Sequence, residues 1–245
     1  MLIGLEAATL SDWARVKQSL DAIRASQPPT TSLDSLTSYL EGVFYQGAAK
    51  LDKALEVWKD QKFEVEPSGA LKNGSHLETE LSILAALNRV WILQDNSCRD
   101  EAEIAELVDL LRPICEDNTD IEIRTAYNLV MAACSFQPAL TLPQLKRHIQ
   151  GCMQGAQTIN NTQYLSMALN IMRNKLFENV VGEQALKSAK AGATQAKKSG
   201  NLLWMSVADG MLAQSYEMQG QINEARMARR SGVRLANEAY ERTHV

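Results

Sequence analysis

The chain has 245 residues, 45% of them hydrophobic, 22% charged and 6% aromatic, with a net charge of −4. That length buries a sizeable core, and the abundance of Ala, Leu, Gln, Glu and Lys over Pro and β-branched alternation favours helices and argues against a sheet protein. No apolar run approaches the roughly 18–20 residues of a membrane span, the strongest being LSILAALNRVWIL, broken by Asn88 and Arg89.

In chain order, 3.6-residue periodicity predicts helices over Ser11–Ala25, Ser32–Gln46, Lys50–Lys59, Ser75–Gln94, Arg99–Cys115 and Asp120–Cys134. Five more follow over Leu142–Gln157, Thr162–Glu178, Glu183–Ser199, Leu202–Gln219 and Ile222–Arg242. The opening MLIGLEAATL does not read as a secretory leader. LEAATLSDWARVKQSLDAI (Leu5–Ile23) has the form of a turn and second helix of a hairpin, with Ala14 at the packing position. SQPPTTS stops the first helix and caps the next, because proline lacks a backbone donor and serine supplies a cap.

The next pair carries a spacing with a packing rationale. Gly42, Tyr45, Ala54 and Trp58 follow the tetratricopeptide scheme, in which small residues let two antiparallel helices approach and aromatics fill the space beside them. EVEPSGALKNGS (Glu64–Ser75) is the longest stretch without periodicity and is expected to form a loop. CRDEAEIAELVD (Cys98–Asp109) places acids at a helix start, where the helix dipole favours them, and ICEDNTD reads as a polar turn. QPALTLP marks another turn.

Near the end the scheme returns with Ala213, Tyr216, Gly220 and Ala225. The repeats are degenerate: Arg229 stands where an aromatic is expected, and Ser38 and Asp209 occupy the first-helix tryptophan position. Ala14 to Ala54 and Ala185 to Ala225 are each 40 residues, against about 34 in the standard repeat. The expected fold is all-α, one α-solenoid of degenerate tetratricopeptide-like hairpins over residues 1–245, forming a right-handed superhelix. Its first unit lacks half a hairpin, so the chain is expected to be the C-terminal part of a longer protein.

Chemistry-bearing constellations are missing from the sequence. His76, His148 and His244 are scattered, and Cys98, Cys115, Cys134 and Cys152 lie 17 to 19 apart without a CxxC, reading as free, mostly core-packed thiols. There is no HExxH, GxSxG, Walker loop, GxGxxG or calcium loop, so no catalytic residue, metal site or cofactor is assigned. NGS (Asn73–Ser75) and NNT (Asn160–Thr162) match glycosylation acceptors without other signs of secretion. Residues 1–184 carry 16 basic and 24 acidic side chains, whereas 185–245 carry 9 and 5. Arg226, Arg230 and Arg234, with Arg229 beside them, form a row that reads as a solvated terminal face or as a receiver for an acidic partner. No aromatic residues interleave them as a nucleic-acid platform requires.

YLEGVFYQGAAKLDKAL, LSILAALNRVWILQD, IRTAYNLV and VVGEQALKSAKAGATQAKKSGNLLWMSVADGMLAQSYEMQGQ together resemble the cohesin loading factor family, most closely its filamentous-fungal members, over about Leu2–Ala239. The family is the smaller, tetratricopeptide-rich subunit of the cohesin loader, and its full-length members are longer than this chain. The resemblance implies a non-enzymatic adaptor. It would wrap the extended N-terminal segment of the loader's large HEAT-repeat subunit and, through it, serve cohesin and chromatin in sister-chromatid cohesion. It also implies nuclear localisation, although Lys197–Lys198 is too little for an import signal. Transferring the concave positions of tetratricopeptide units gives Tyr39, Val43 and Gln46 in one hairpin and Val207, Gln214, Glu217 and Met218 in the last as candidate partner contacts. The alternatives are another α-solenoid scaffold, regulatory or proteasome-lid-like, and an all-α enzyme, for which the required DDxxD is missing.

Overall fold

The computed structural model describes residues 12–25, 31–48, 50–59, 76–136, 139–177 and 182–243. The opening ten residues, the Glu64–Ser75 stretch with its NGS acceptor, and His244 lie outside them. Eleven helices and no strand occur among the described residues. They are α1 (Trp13–Ala25), α2 (Thr31–Gly47), α3 (Leu51–Lys59), α4 (His76–Ile92), α5 (Glu101–Cys115) and α6 (Ile121–Ala133). After these come α7 (Leu142–Thr158), α8 (Thr162–Phe177), α9 (Glu183–Ser199), α10 (Leu202–Met218) and α11 (Ile222–Thr243).

Local chemistry sets the ends. Asp100 accepts from the Ala102 and Glu103 amides at 3.0 Å each to start α5, and Asp120 does the same for α6 from Glu122 and Ile123. The acidic run at Cys98–Asp109 is therefore a helix start, as its charge placement suggests. Gln144 Oε1 accepts from the Thr141 amide at 2.9 Å, and Pro143 occupies the first turn of α7. Asn201 caps α10 through the Trp204 amide. Gly200 and Gly220 both take φ 72°, the left-handed turn that closes α9 and α10 and is costly for residues with a Cβ.

Consecutive helices pair as antiparallel hairpins, α2 with α3, α4 with α5, α6 with α7, α8 with α9 and α10 with α11. The small positions read from the sequence do what that scheme requires. Gly42 lies directly against the indole of the fully buried Trp58, and Ala54 and Ala225 are buried at 0% and 1% exposure. The largest core joins α4, α5 and α6 through Ile83, Leu87, Val90, Ile104, Leu111 and Tyr127. At roughly 25 cal/mol per Å² of apolar area, such burial is the main force holding the array together.

From α6 onward the hairpins share a polar seam. Ser166 Oγ donates to the Gly192 carbonyl at 2.9 Å, and 40 residues later Ser206 Oγ donates to the Gly232 carbonyl at 2.8 Å. Asn128 faces Gly151, Asn170 faces Gly192 and Asp209 faces Gly232, so each second helix offers a glycine where the first presents a polar side chain. The spacing near 40 is thus a structural repeat, and the tryptophan of the standard scheme is replaced by this small-against-polar contact.

First helices touch in an unbroken series: α2 to α4, α4 to α6, α6 to α8 and α8 to α10. The second helices α3, α5, α7, α9 and α11 make no contact with one another. An array joined on one side and splayed on the other bends toward the joined side, which makes the first helices its inner wall. α11 also touches α1, so the far ends of the array come together.

Candidate partner-binding face

The inner wall is built from the first helices, and its last two members meet around one buried cation. Arg173 of α8 is 1% exposed. Its Nε donates to Ser215 Oγ at 2.9 Å, and its Nη1 donates to Asn174 Oδ1 at 2.8 Å and Gln214 Oε1 at 3.0 Å. Nη2 lies 3.2 Å from Met218 Sδ. A guanidinium suits this place because its rigid fork satisfies several acceptors at once. Two residues on, Lys175 Nζ donates to the Cys134 carbonyl at 2.7 Å, closing the last turn of α6, and burial pulls its pKa down.

Two of the sequence-derived contacts, Gln214 and Met218, are therefore brought together by a residue that the sequence did not single out. Arg173 fixes the Gln214 side chain by its oxygen. That leaves the amide nitrogen, which makes no hydrogen bond among the described residues, available to an extended backbone. Val207 is 42% exposed on the same helix. Leu203, Val207, Gly210 and Gln214 recur at i, i+4, i+7 and i+11, an open stripe of apolar and amide groups. Leu203 was missed, although the spacing that selected Val207 also reaches it. Glu217 turns aside and pairs with Arg229 of α11 at 2.5 Å.

The α2 candidates form a separate group at the other end of the inner wall. Tyr39 is half-buried, stacked on Trp58 with ring centroids 6.4 Å apart, and its hydroxyl meets Asn88 of α4. Burial pushes its pKa up to about 12. Val43 packs against the same Ala54–Trp58 cluster, and Gln46 is half-buried in the last turn. Packing thus holds Tyr39 and Val43 before any partner arrives. Of the arginine row, Arg226, Arg230 and Arg234 are exposed, and Arg229 is the one engaged by Glu217.

Reactive chemistry is scarce. All four cysteines are free, and burial raises Cys115, Cys134 and Cys152 to about 12. Among the described residues no group of three or more His, Cys, Asp or Glu is placed to hold a metal, and no helix is long and apolar enough to cross a membrane. His148 is buried, its Nδ1 2.8 Å from Asn128 Oδ1.

The family model described as cohesin loading factor matches residues 1–223. The chain belongs to the cohesin loading factor family. No curated protein and no solved structure matches it. Membership gives it a role in cohesin loading, hence a chromatin-associated, nuclear one, within a family of non-catalytic loader subunits. It also ties the hairpin array to that role: the match runs through α10 and ends as α11 begins.

Proposed function

We infer that this member of the cohesin loading factor family is a non-enzymatic adaptor whose inner wall grips the extended N-terminal segment of the large HEAT-repeat loader subunit. In this reading cohesin and chromatin are reached through that subunit. The observation that carries it is the unbroken series of first helices α2, α4, α6, α8 and α10, which presents one continuous wall to a long peptide. The Leu203–Val207–Gln214 stripe supplies apolar grip and an amide donor, with Arg173 holding that amide in place.

The test is co-expression with the N-terminal segment of the large subunit, followed by light scattering. A one-to-one complex that Val207→Glu with Gln214→Ala weakens supports the adaptor. Both residues are exposed, and because Gln214 also accepts from the buried Arg173, an unchanged melting curve must accompany the loss of binding, whereas replacing Tyr39 disturbs the core and blurs the result. A complex indifferent to the pair, or no complex, refutes this use of the wall.

A further inference from the structure

The outer face of α11 lies almost wholly beyond the family match, which stops at residue 223. Ile222, Arg226, Arg230, Val233 and Arg234 are exposed on α11 away from its buried Ala225, Ala228 and Leu235, and Arg229 flanks them beside Ala225, where it pairs with Glu217. Val233 is 62% and Ile222 54% exposed. Arg226, Arg230 and Arg234 make no ion pair among the described residues, and Arg230, Val233, Arg234, Asn237 and Glu238 form one open patch along α11.

The repeat register says what geometry this face receives. On α9, Ala189, Ala193 and Ala196 are 0–4% exposed, and the last two pack against Met205, Ala208 and Leu212 of α10. Forty residues on, the equivalent α11 positions are Arg229, Val233 and Ala236. The surface that accepts a helix inside the array is therefore repeated at its end, with Arg229 and Val233 in place of two alanines, and Arg230 and Arg234 border it at the positions of the exposed Lys190 and Thr194. Among the described helices α11 touches only α10 and α1, and Ile222, Arg226, Arg230, Val233 and Arg234 stay exposed beside them.

We propose that the outer face of α11 docks an acidic amphipathic helix of another protein. Val233 and Ile222 meet the apolar stripe of that helix, and Arg226, Arg230 and Arg234 meet its carboxylates. The face also sets a direction. Its cations occupy residues 226–234, whereas Glu238 and Glu241 border its far end, so the acidic end of the incoming helix lies over the first part of α11. The proposal does not depend on the inner wall, which lies on the first helices.

The test is fluorescence anisotropy of the full chain at near-physiological salt. The probe is a synthetic peptide of about 20 residues with leucines at helical spacing and glutamates between them, long enough to form a helix. Arg226→Glu with Arg230→Glu and Arg234→Glu should weaken binding by about tenfold or more, and Val233→Asp by about fivefold. Both variants change exposed side chains, and an unchanged melting curve confirms their folding. A shuffled peptide of the same composition, with no apolar stripe, should bind about tenfold more weakly. Four results overturn the proposal: no binding of the peptide, equal binding of the shuffled one, indifference to both variants, or tighter binding of a duplex DNA of about 20 base pairs.

Discussion

Gly42 is the site where the hairpin geometry makes its sharpest demand. A Cβ built there would lie 2.1 Å from Trp58 Cε2 and 2.2 Å from Nε1, where ordinary contact begins near 3.4 Å. The indole is fully buried beneath α2, so about 1.3 Å of separation must come from moving α2 off α3 or forcing the ring out of its rotamer. Overpacking of this kind costs about 1–3 kcal/mol. Alanine recovers up to about 1 kcal/mol as the better helix former. With contacts this short, the upper end of the cost applies, leaving Gly42→Ala destabilised by about 2 kcal/mol. For a chain of this size the melting temperature should fall by about 4–8 °C. Gly210→Ala is the internal control, because a Cβ there meets nothing within 4 Å, and it should gain about 0.5–1 kcal/mol. Thermal unfolding followed by circular dichroism reads both. In a Trp58→Leu background, Gly42→Ala should lose its penalty, since the offending ring is gone. If Gly42→Ala stabilises the wild-type chain as Gly210→Ala does, α2 and α3 do not close over the indole and the hairpin assignment is wrong.

Arg173→Lys should cost about 1–3 kcal/mol in urea unfolding, because an ammonium cannot span Ser215, Asn174 and Gln214 together; wild-type stability would contradict the buried hub. Burial lowers the His148 pKa, with Arg147 adding to it. The unfolded state therefore binds the proton first, and stability should be full above the ordinary imidazole value and fall as pH drops below 6.5. His148→Gln should flatten that slope in unfolding titrations between about pH 5 and 7, and an unchanged slope would assign it to other groups. With a disulfide-exchange reagent at neutral pH, the half-buried Cys98 should react first. Cys115, Cys134 and Cys152 should react only on unfolding, and fast release of all four from folded protein would contradict their burial.

All eleven helices were legible because their ends carry local chemistry. Asp100, Asp120 and Asn201 cap, while Gly200 and Gly220 turn, and every expected boundary falls within two residues of the observed one. The hairpin contacts of Gly42, Ala54 and Ala225 were legible too, since small residues at fixed spacing have one packing use. The 40-residue spacing was visible, but not its cause. Asn170 opposite Gly192 looks, in one dimension, like an ordinary polar residue and an ordinary helical glycine. Arg173 was invisible for a related reason. Periodicity tells which face of α8 is buried, not that α10 will bring Ser215 and Gln214 to satisfy a cation there. Tyr39 shows the converse, being both a predicted inner-wall residue and a partner of Trp58, because the first helices pack and line the wall with overlapping faces.

The most direct test of the central claim is hydrogen–deuterium exchange on the chain with and without the N-terminal segment of the large loader subunit. The adaptor account predicts added protection on the first helices, foremost α8 and α10 around Arg173, Val207 and Gln214. Protection confined to the second helices α3, α5, α7, α9 and α11 would contradict it, moving the partner to the outside of the array.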